Sequence, residues 1–188
     1  LKALLPHTEI TSTSSPRIVG LHSLENQEIL SMHSSLEGIL QSGGVDVLDN
    51  LQHFLQNISS IEMPRGTMRV TCKRHGPRKS SLSMSTLEKG IGAIFFERGV
   101  QIDLTTPDDI FCLIIDEEAN QFSWGWWQEF ESMSPSWKER NPSNRPFFKP
   151  ISLDPRLARC AVNLACGDRR GYCVDPMAGT GGFLLEAS

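Results

Sequence analysis

Val174-Asp175-Pro176-Met177-Ala178-Gly179-Thr180-Gly181-Gly182-Phe183 is the stretch on which the reading of this chain turns. Gly171-Tyr172-Cys173-Val174 leads into an acid, glycines follow, and Phe183-Leu184-Leu185-Glu186-Ala187 begins a helical pattern. The stretch predicts a short strand over Gly171–Val174, a turn, and a helix. Glycine is needed where a ligand must lie against bare backbone, because a Cβ would fill that space. Amides at the start of the helix suit an anionic group. Three ligand classes use such a turn, and spacing separates them. A dinucleotide fingerprint needs a glycine three residues after Gly181, where Leu184 stands. A phosphate-binding P-loop needs a lysine, and none occurs in or after this turn. An acid followed by G-x-G-G is the S-adenosylmethionine pattern. The same turn also occurs with no ligand, so its surroundings must decide.

Working outward, Asp154-Pro155 reads as a helix opening, with Asp at the N-cap and Pro in the first turn. Leu157, Ala158, Ala161, Val162, Leu164 and Ala165 are expected on its buried side and Gly167 at its stop. Residues 131–150 hold Pro135, Pro142, Pro146 and Pro150 mixed with charge, which predicts a linker. Upstream, Met68, Val70 and Cys72 alternate with Arg69, Thr71 and Lys73, a half-buried strand over 67–74 with a basic outer face. Ser85 and Glu88 fit a capping box for a helix whose stripe is Leu87, Ile91, Ile94 and Phe95 and whose stop is Gly99. Strands are expected at Val100–Leu104, Asp109–Ile115 and Gln121–Trp126, the last two joined as a hairpin through Asp116–Asn120. Trp124, Trp126 and Trp127 are candidates for stacking on bases, but Phe122, Trp124 and Trp126 share one strand face, which favours core. In the first sixty residues, Arg17–Leu21 reads as a strand. Two helical patterns follow, one through Ile29, Leu30, Leu36, Ile39 and Leu40 and one through Leu48, Leu51, Phe54, Leu55 and Ile58, with Gly43-Gly44 between them.

The chain has 188 residues, 39% of them hydrophobic and 21% charged, enough apolar material for a core and too little charge for wholesale disorder. The longest apolar run, Ile110–Ile115, is far short of a membrane span, and no secretory signal is visible, so a cytoplasmic protein is expected. Cys72, Cys112, Cys160, Cys166 and Cys173 form no CxxC pair, so neither a disulfide framework nor a metal site is expected, and each reads as a small buried hydrophobe. The net charge of −4 conceals segregation. Arg65, Arg69, Lys73, Arg74, Arg78 and Lys79 fall within fifteen residues that contain no acid. The stretch 99–137 holds eight acids and no Lys or Arg. A basic face for phosphates therefore survives the acidic total.

Three groups of residues together resemble one family: Arg145-Pro146-Phe147-Phe148-Lys149-Pro150; Leu153-Asp154-Pro155-Arg156-Leu157-Ala158-Arg159 with Val162-Asn163-Leu164; and Asp175–Gly182. They are similar to the THUMP-containing tRNA guanine-N2 methyltransferases, the archaeal group that modifies the guanine at tRNA position ten, with its eukaryotic relative. The basic strand, the Ser85–Glu88 helix start and Val100-Gln101-Ile102-Asp103-Leu104 before Pro107-Asp108 resemble a THUMP domain. The resemblance covers roughly residues 65–188, and Met177-Ala178 stands where the family often has Phe-Cys.

The resemblance implies an α+β THUMP region with a partial ferredoxin-like N-terminal part, followed by the start of an α/β Rossmann-like methyltransferase domain. The divisions it suggests are 1–60 for the N-terminal part, 61–130 for the THUMP domain, 131–150 for the linker and 151–188 for the methyltransferase portion. It implies S-adenosylmethionine as cofactor, held by Asp175, Pro176, Met177, Ala178, Gly179, Thr180, Gly181 and Gly182 with Phe148 and Lys149. It implies tRNA as partner, bound through Arg65, Arg69, Lys73, Arg74, Arg78 and Lys79. In this family an Asp/Asn-Pro-Pro-aromatic loop positions the target amine, and no such loop occurs in these residues. The chain is therefore expected to be an N-terminal fragment, catalytically inactive alone, with a methyltransferase portion poorly stable in isolation. The alternatives are a non-catalytic RNA-binding adaptor and a methyltransferase for ribosomal RNA or DNA.

Overall fold

The computed structural model describes residues 9–22, 36–129, 137, 139–147, 149–150, 152–167 and 171–188. The chain divides into two compact units: a sheet unit of Thr11–Gly20 with Gly38–Glu129, and a second unit of Leu1–Ile10, Leu21–Glu37 and Phe130–Ser188. The boundary expected at residue 60 falls inside the sheet unit. Two short strands, β1 (Glu9–Ser12) and β2 (Val19–His22), pair with one another.

The main sheet has four strands: β3 (Gly38–Val47), β4 (Met68–His75), β5 (Asp109–Asp116) and β6 (Gln121–Glu129). Their order is β3-β6-β5-β4, with β5 antiparallel to β6 and parallel to β4. The parallel pair needs a crossover, which the helix α2 (Met84–Glu97) supplies. A shorter helix, α1 (Leu51–Asn57), is flanked by single 3-10 turns at Leu48–Asn50 and Ile58–Ser60.

One sheet face carries the core. Met68, Val70 and Cys72 of β4 and Phe111, Leu113 and Ile115 of β5 are buried there with Phe122 of β6 and with Ile91 and Phe95 of α2. Trp124 and Trp126 pack against this cluster, as their alternation with Phe122 implied. Phe54 of α1 meets the Trp124 ring at 4.6 Å between centroids. Burial of this apolar surface is the main stabilising term for the unit.

Three local expectations changed. Ile39 and Leu40 lie on β3 rather than on a helix, while 29–35 fall outside the described residues. Aromatic rings on β6 explain the difference. A Cβ at Gly38 would come within 2.6 Å of Trp127 Cζ2, and one at Gly44 within 2.7 Å of Trp124 Cζ2. The glycines thus let β3 lie against the indoles, and Gly43-Gly44 marks a bulge in the register after Gln41 instead of a break between helices. The cap of α2 is Ser83, whose Oγ accepts from Thr86 N at 3.3 Å, and Ser85 is inside the helix. Glu88 is instead drawn to the sheet edge, where its Oε1 accepts the Cys72 amide at 2.8 Å. Gln101–Asp103 makes only a single parallel bridge, Ile102 to Met68, so Val100–Leu104 is not a full strand. The bridge still closes the first turn of the β4 edge, through Met68 N to Gln101 O at 3.0 Å and Asp103 N to Met68 O at 2.9 Å.

The hairpin between β5 and β6 is anchored by two acids. Asp116, fully buried, accepts from Ser15 Oγ at 2.7 Å, Arg17 Nη1 at 3.1 Å and the amides of Glu118 and Ala119 at 3.1 Å each. Glu117 accepts from Lys79 N at 2.6 Å and Ser80 Oγ at 2.9 Å, and pairs with Arg74 at 2.5 Å. Burial pushes both carboxyls up, but these hydrogen bonds and guanidinium groups together hold them below their ordinary values of 3.8 and 4.5. A carboxyl lowered by folding contributes stability above its unfolded pKa and loses it as pH falls through the folded one. The sheet unit should therefore keep its urea midpoint from neutral pH down to the 3.8–4.5 range and lose it below. Asp116→Asn should flatten that acid limb, and an unchanged limb would count against the network.

Candidate functional site

In the second unit the C-terminal residues form α3 (Pro155–Cys166) and α4 (Gly182–Ala187), with the glycine turn before α4. Asp154 caps α3 as its sequence foretold, its Oδ1 accepting from Arg156 N at 2.9 Å and Leu157 N at 3.4 Å. Gly167 ends the helix with φ +60°. The buried side of α3 is narrower than expected. Pro155, Ala158 and Val162 are buried, whereas Leu157 and Leu164 are 60% and 72% exposed. A seven-residue spacing places those two leucines on the opposite stripe of the helix. Cys160 is also exposed, as is Cys173, so only Cys72 and Cys112 behave as buried hydrophobes, with Cys166 between. Burial pushes the Cys72 thiol up to about 12 and Cys112 to about 11, which keeps both unreactive.

Gly171–Val174 is not a strand. These residues are irregular and exposed, Val174 at 83%. A strand exists only through a ladder, and the described residues of this unit supply no neighbour for it. The turn that follows is nevertheless formed. Asp175 Oδ1 accepts the Met177 amide at 2.9 Å, and Ala178 O accepts Gly181 N at 2.7 Å. Gly179 and Gly181 adopt φ +55° and +74°, conformations that strain any side chain, and space beside Gly181 is open.

The structure brings part of the preceding segment to this turn. Ser152 Oγ lies 3.1 Å from Thr180 Oγ1 and also accepts the Lys149 amide at 3.4 Å. Lys149, Ser152 and the capped start of α3 are thereby tied to the glycine turn. Phe148 lies outside the described residues, and its neighbour Phe147 is exposed beneath the Lys149 ammonium, 5.9 Å from the ring centroid. The supposed linker is partly ordered and packed. It contains a 3-10 turn at Pro142–Asn144, and Arg140 reaches Glu186 of α4 at 2.6 Å.

A small group has to fit a cradle of this kind through backbone and through polar atoms left without a partner. The turn meets both conditions: Gly181 has room for a ligand against its Cα, and Asp175 Oδ2 is buried with no hydrogen bond. Asp175, Pro176, Met177, Ala178, Gly179, Thr180, Gly181 and Gly182 are contiguous around it, and the Met177 side chain is exposed.

The basic residues of the sheet unit are divided by strand alternation. Arg69 and Lys73 lie on the sheet face away from the core, where the Lys73 ammonium sits 4.0 Å over the Trp127 ring. Arg65, Arg78 and Lys79 are exposed in the segments flanking β4. Arg74 points elsewhere. Its side chain is only 14% exposed, and it pairs with Glu117 while donating to Leu82 O at 2.6 Å. Trp127, a base-stacking candidate in the sequence, lies one residue beyond the core-facing Trp126 and so falls on the basic face.

Residues 142–188 match the RMKL-like methyltransferase domain family UPF0020. The chain is 33% identical over 150 residues to the tRNA (guanine(10)-N2)-dimethyltransferase of Pyrococcus abyssi, covering 80% of this chain and 43% of that protein. It is 37% identical over 107 residues to the enzyme of the same name from Methanothermobacter thermautotrophicus, covering 54% of this chain and 30% of that one. This chain is a relative of the tRNA guanine-N2 methyltransferases. It spans less than half the length of these curated relatives. The crystal structure of TrmN from Thermus thermophilus shares its mixed α/β fold, with a TM-score of 0.56 at 19% identity over 90% of this chain and 50% of that one. Among the described residues no helix is long and apolar enough to cross a membrane.

Proposed function

We propose that this chain carries the RNA-binding part and the methyl-donor loop of an S-adenosylmethionine-dependent tRNA guanine-N2 methyltransferase, whose target is the exocyclic amine of the guanine at position ten. The observation that carries the reading is the glycine turn Asp175–Gly182, with left-handed glycines, open space beside Gly181 and an unpartnered buried Asp175 oxygen. The names of the 31–37% identical relatives support the choice of substrate. When bound, S-adenosylmethionine supplies an electrophilic methyl group. The residues Asp175–Gly182 would hold it, with Lys149 beside them and Ser152 bracing Thr180.

The sheet unit serves as the THUMP-type RNA-binding domain in this reading. Arg65, Arg69, Lys73, Arg78 and Lys79 contact phosphates, which gives affinity and register without reading sequence. Arg74 supports this surface by fixing the loop after β4 through Glu117. No residue of this chain is assigned a catalytic role.

The test uses the whole protein with isotopically labelled methyl donor. Label should enter a tRNA transcript with guanine at position ten and fail to enter the same transcript with adenine there. Preferential labelling of ribosomal RNA or DNA would overturn the substrate. Gly181→Val should lower affinity for S-adenosylhomocysteine at least about tenfold, because the side chain occupies the donor's space and strains φ +74°. Unchanged affinity would remove the loop from the donor site.

A further inference from the structure

Two guanidinium groups hold one carboxylate of α4, and a third lies near the start of the same helix. Glu186 is fully buried, and its Oε2 accepts from Arg140 Nη1 at 2.6 Å and Arg159 Nε at 3.3 Å. The third, Arg145, is turned the other way. Its Nε and Nη2 both donate to the Arg140 carbonyl, at 3.2 and 3.0 Å. That two-point grip fixes the plane of the guanidinium and leaves Nη1 buried with no acceptor among the described residues. Nη1 lies 3.8 Å from the point a Cβ on Gly182 would occupy. Gly182 and Glu186 are four residues apart, so they share one face of α4. Along that face Glu186 Oε2 is paired while its Oε1 is buried without a hydrogen bond, and the Gly182 end presents an N–H that has no acceptor among the described residues.

A buried N–H without an acceptor is costly. Burial holds Arg140 below the ordinary arginine range, with Glu186 opposing the shift and Arg159 and Arg145 adding to it. A carboxylate at the Gly182 end would accept the orphan N–H in a charge-assisted hydrogen bond. The methyl donor assigned above has one anionic group, the α-carboxylate of its amino-acid end.

We propose that Arg145 binds the α-carboxylate of the methyl donor through Nη1, beside Gly182, and so orients the amino-acid end of the donor in the glycine turn. The proposal rests on the donor-loop reading and adds a residue to it. Arg145 is preorganised for the task by the Arg140 carbonyl, so little freedom is lost when the donor binds. A lysine at this position could carry the charge but could not keep both bonds to Arg140.

Equilibrium binding to the full chain tests this, by calorimetry with two ligands. S-adenosylhomocysteine carries the amino-acid end, and methylthioadenosine is the same nucleoside thioether without it. Arg145→Ala should weaken S-adenosylhomocysteine about ten- to a hundredfold, the range for a hydrogen bond to a charged group, and leave methylthioadenosine unchanged. Arg145→Lys should recover part of the loss. An unchanged methylthioadenosine affinity also reports that the variants are folded. Equal losses for both ligands, or no loss for either, would overturn the role of Arg145. Failure of the unaltered chain to bind either ligand would instead overturn the donor-loop reading, and the proposal with it.

Discussion

Phe111→Ala should cost the sheet unit about 3–5 kcal/mol, the range for removing a buried aromatic ring. Phe111 is fully buried on β5, a central strand of the sheet. Its ring centroid lies 5.5 Å from Phe95 of α2 and 5.4 Å from Trp126 of β6, so it joins the helix to the sheet. Truncation leaves a cavity between rigid elements on several sides, which can close only by moving a strand or the helix. A domain is stable by only about 5–15 kcal/mol, so this loss is a large share of the total. Urea denaturation followed by tryptophan fluorescence reads it directly, because Trp126 borders the cavity. Phe96→Ala is the comparison. Phe96 is one residue from Phe95 but 67% exposed, and its removal should shift the midpoint little. Equal losses for the two variants would mean that the core is not organised around β5.

Reversing charge at Arg69 and Lys73 together should lower affinity for tRNA at least about tenfold near 0.1 M salt and reduce the slope of log K against log salt by about two. Both side chains lie on the face of β4 opposite the core, beside Trp127, and neither is committed to an ion pair among the described residues. Arg74→Glu, although adjacent in sequence, should act through stability. It would set a second acid against buried Glu117 and free the Leu82 carbonyl, so the melting temperature falls. Filter binding across a salt series and thermal melts of the same preparations separate the two effects. If Arg69→Glu/Lys73→Glu left the salt slope unchanged, the outer face of β4 would not be the RNA surface. If Arg74→Glu changed the slope without changing stability, the division of the basic cluster by strand face would be wrong.

Much of this molecule was readable from residue order where the cause is local. The alternation of Met68, Val70 and Cys72, the hairpin through Asp116–Asn120, the Asp154 cap and the glycine turn all depend on residues within a few positions of each other. Backbone geometry fixes such features before distant parts of the chain meet. The misreadings share the opposite cause. Gly43-Gly44 became a bulge because Trp124 lies against it from β6. Glu88 left its expected capping role because the edge of β4 offers an amide to it. Gly171–Val174 has a strand-like composition and no ladder to join among the described residues.

Toward function, the sequence by itself determined the glycine turn and the basic cluster, since a glycine turn behind an acid and a run of cations are patterns of adjacent residues. Tertiary structure decided which of those cations face outward. It withdrew Arg74 into a pair with Glu117, placed Lys73 over Trp127, and set Arg145 beside Gly182 across 37 residues of chain. Those assignments depend on side-chain direction and on partners far away in sequence, and only packing supplies both.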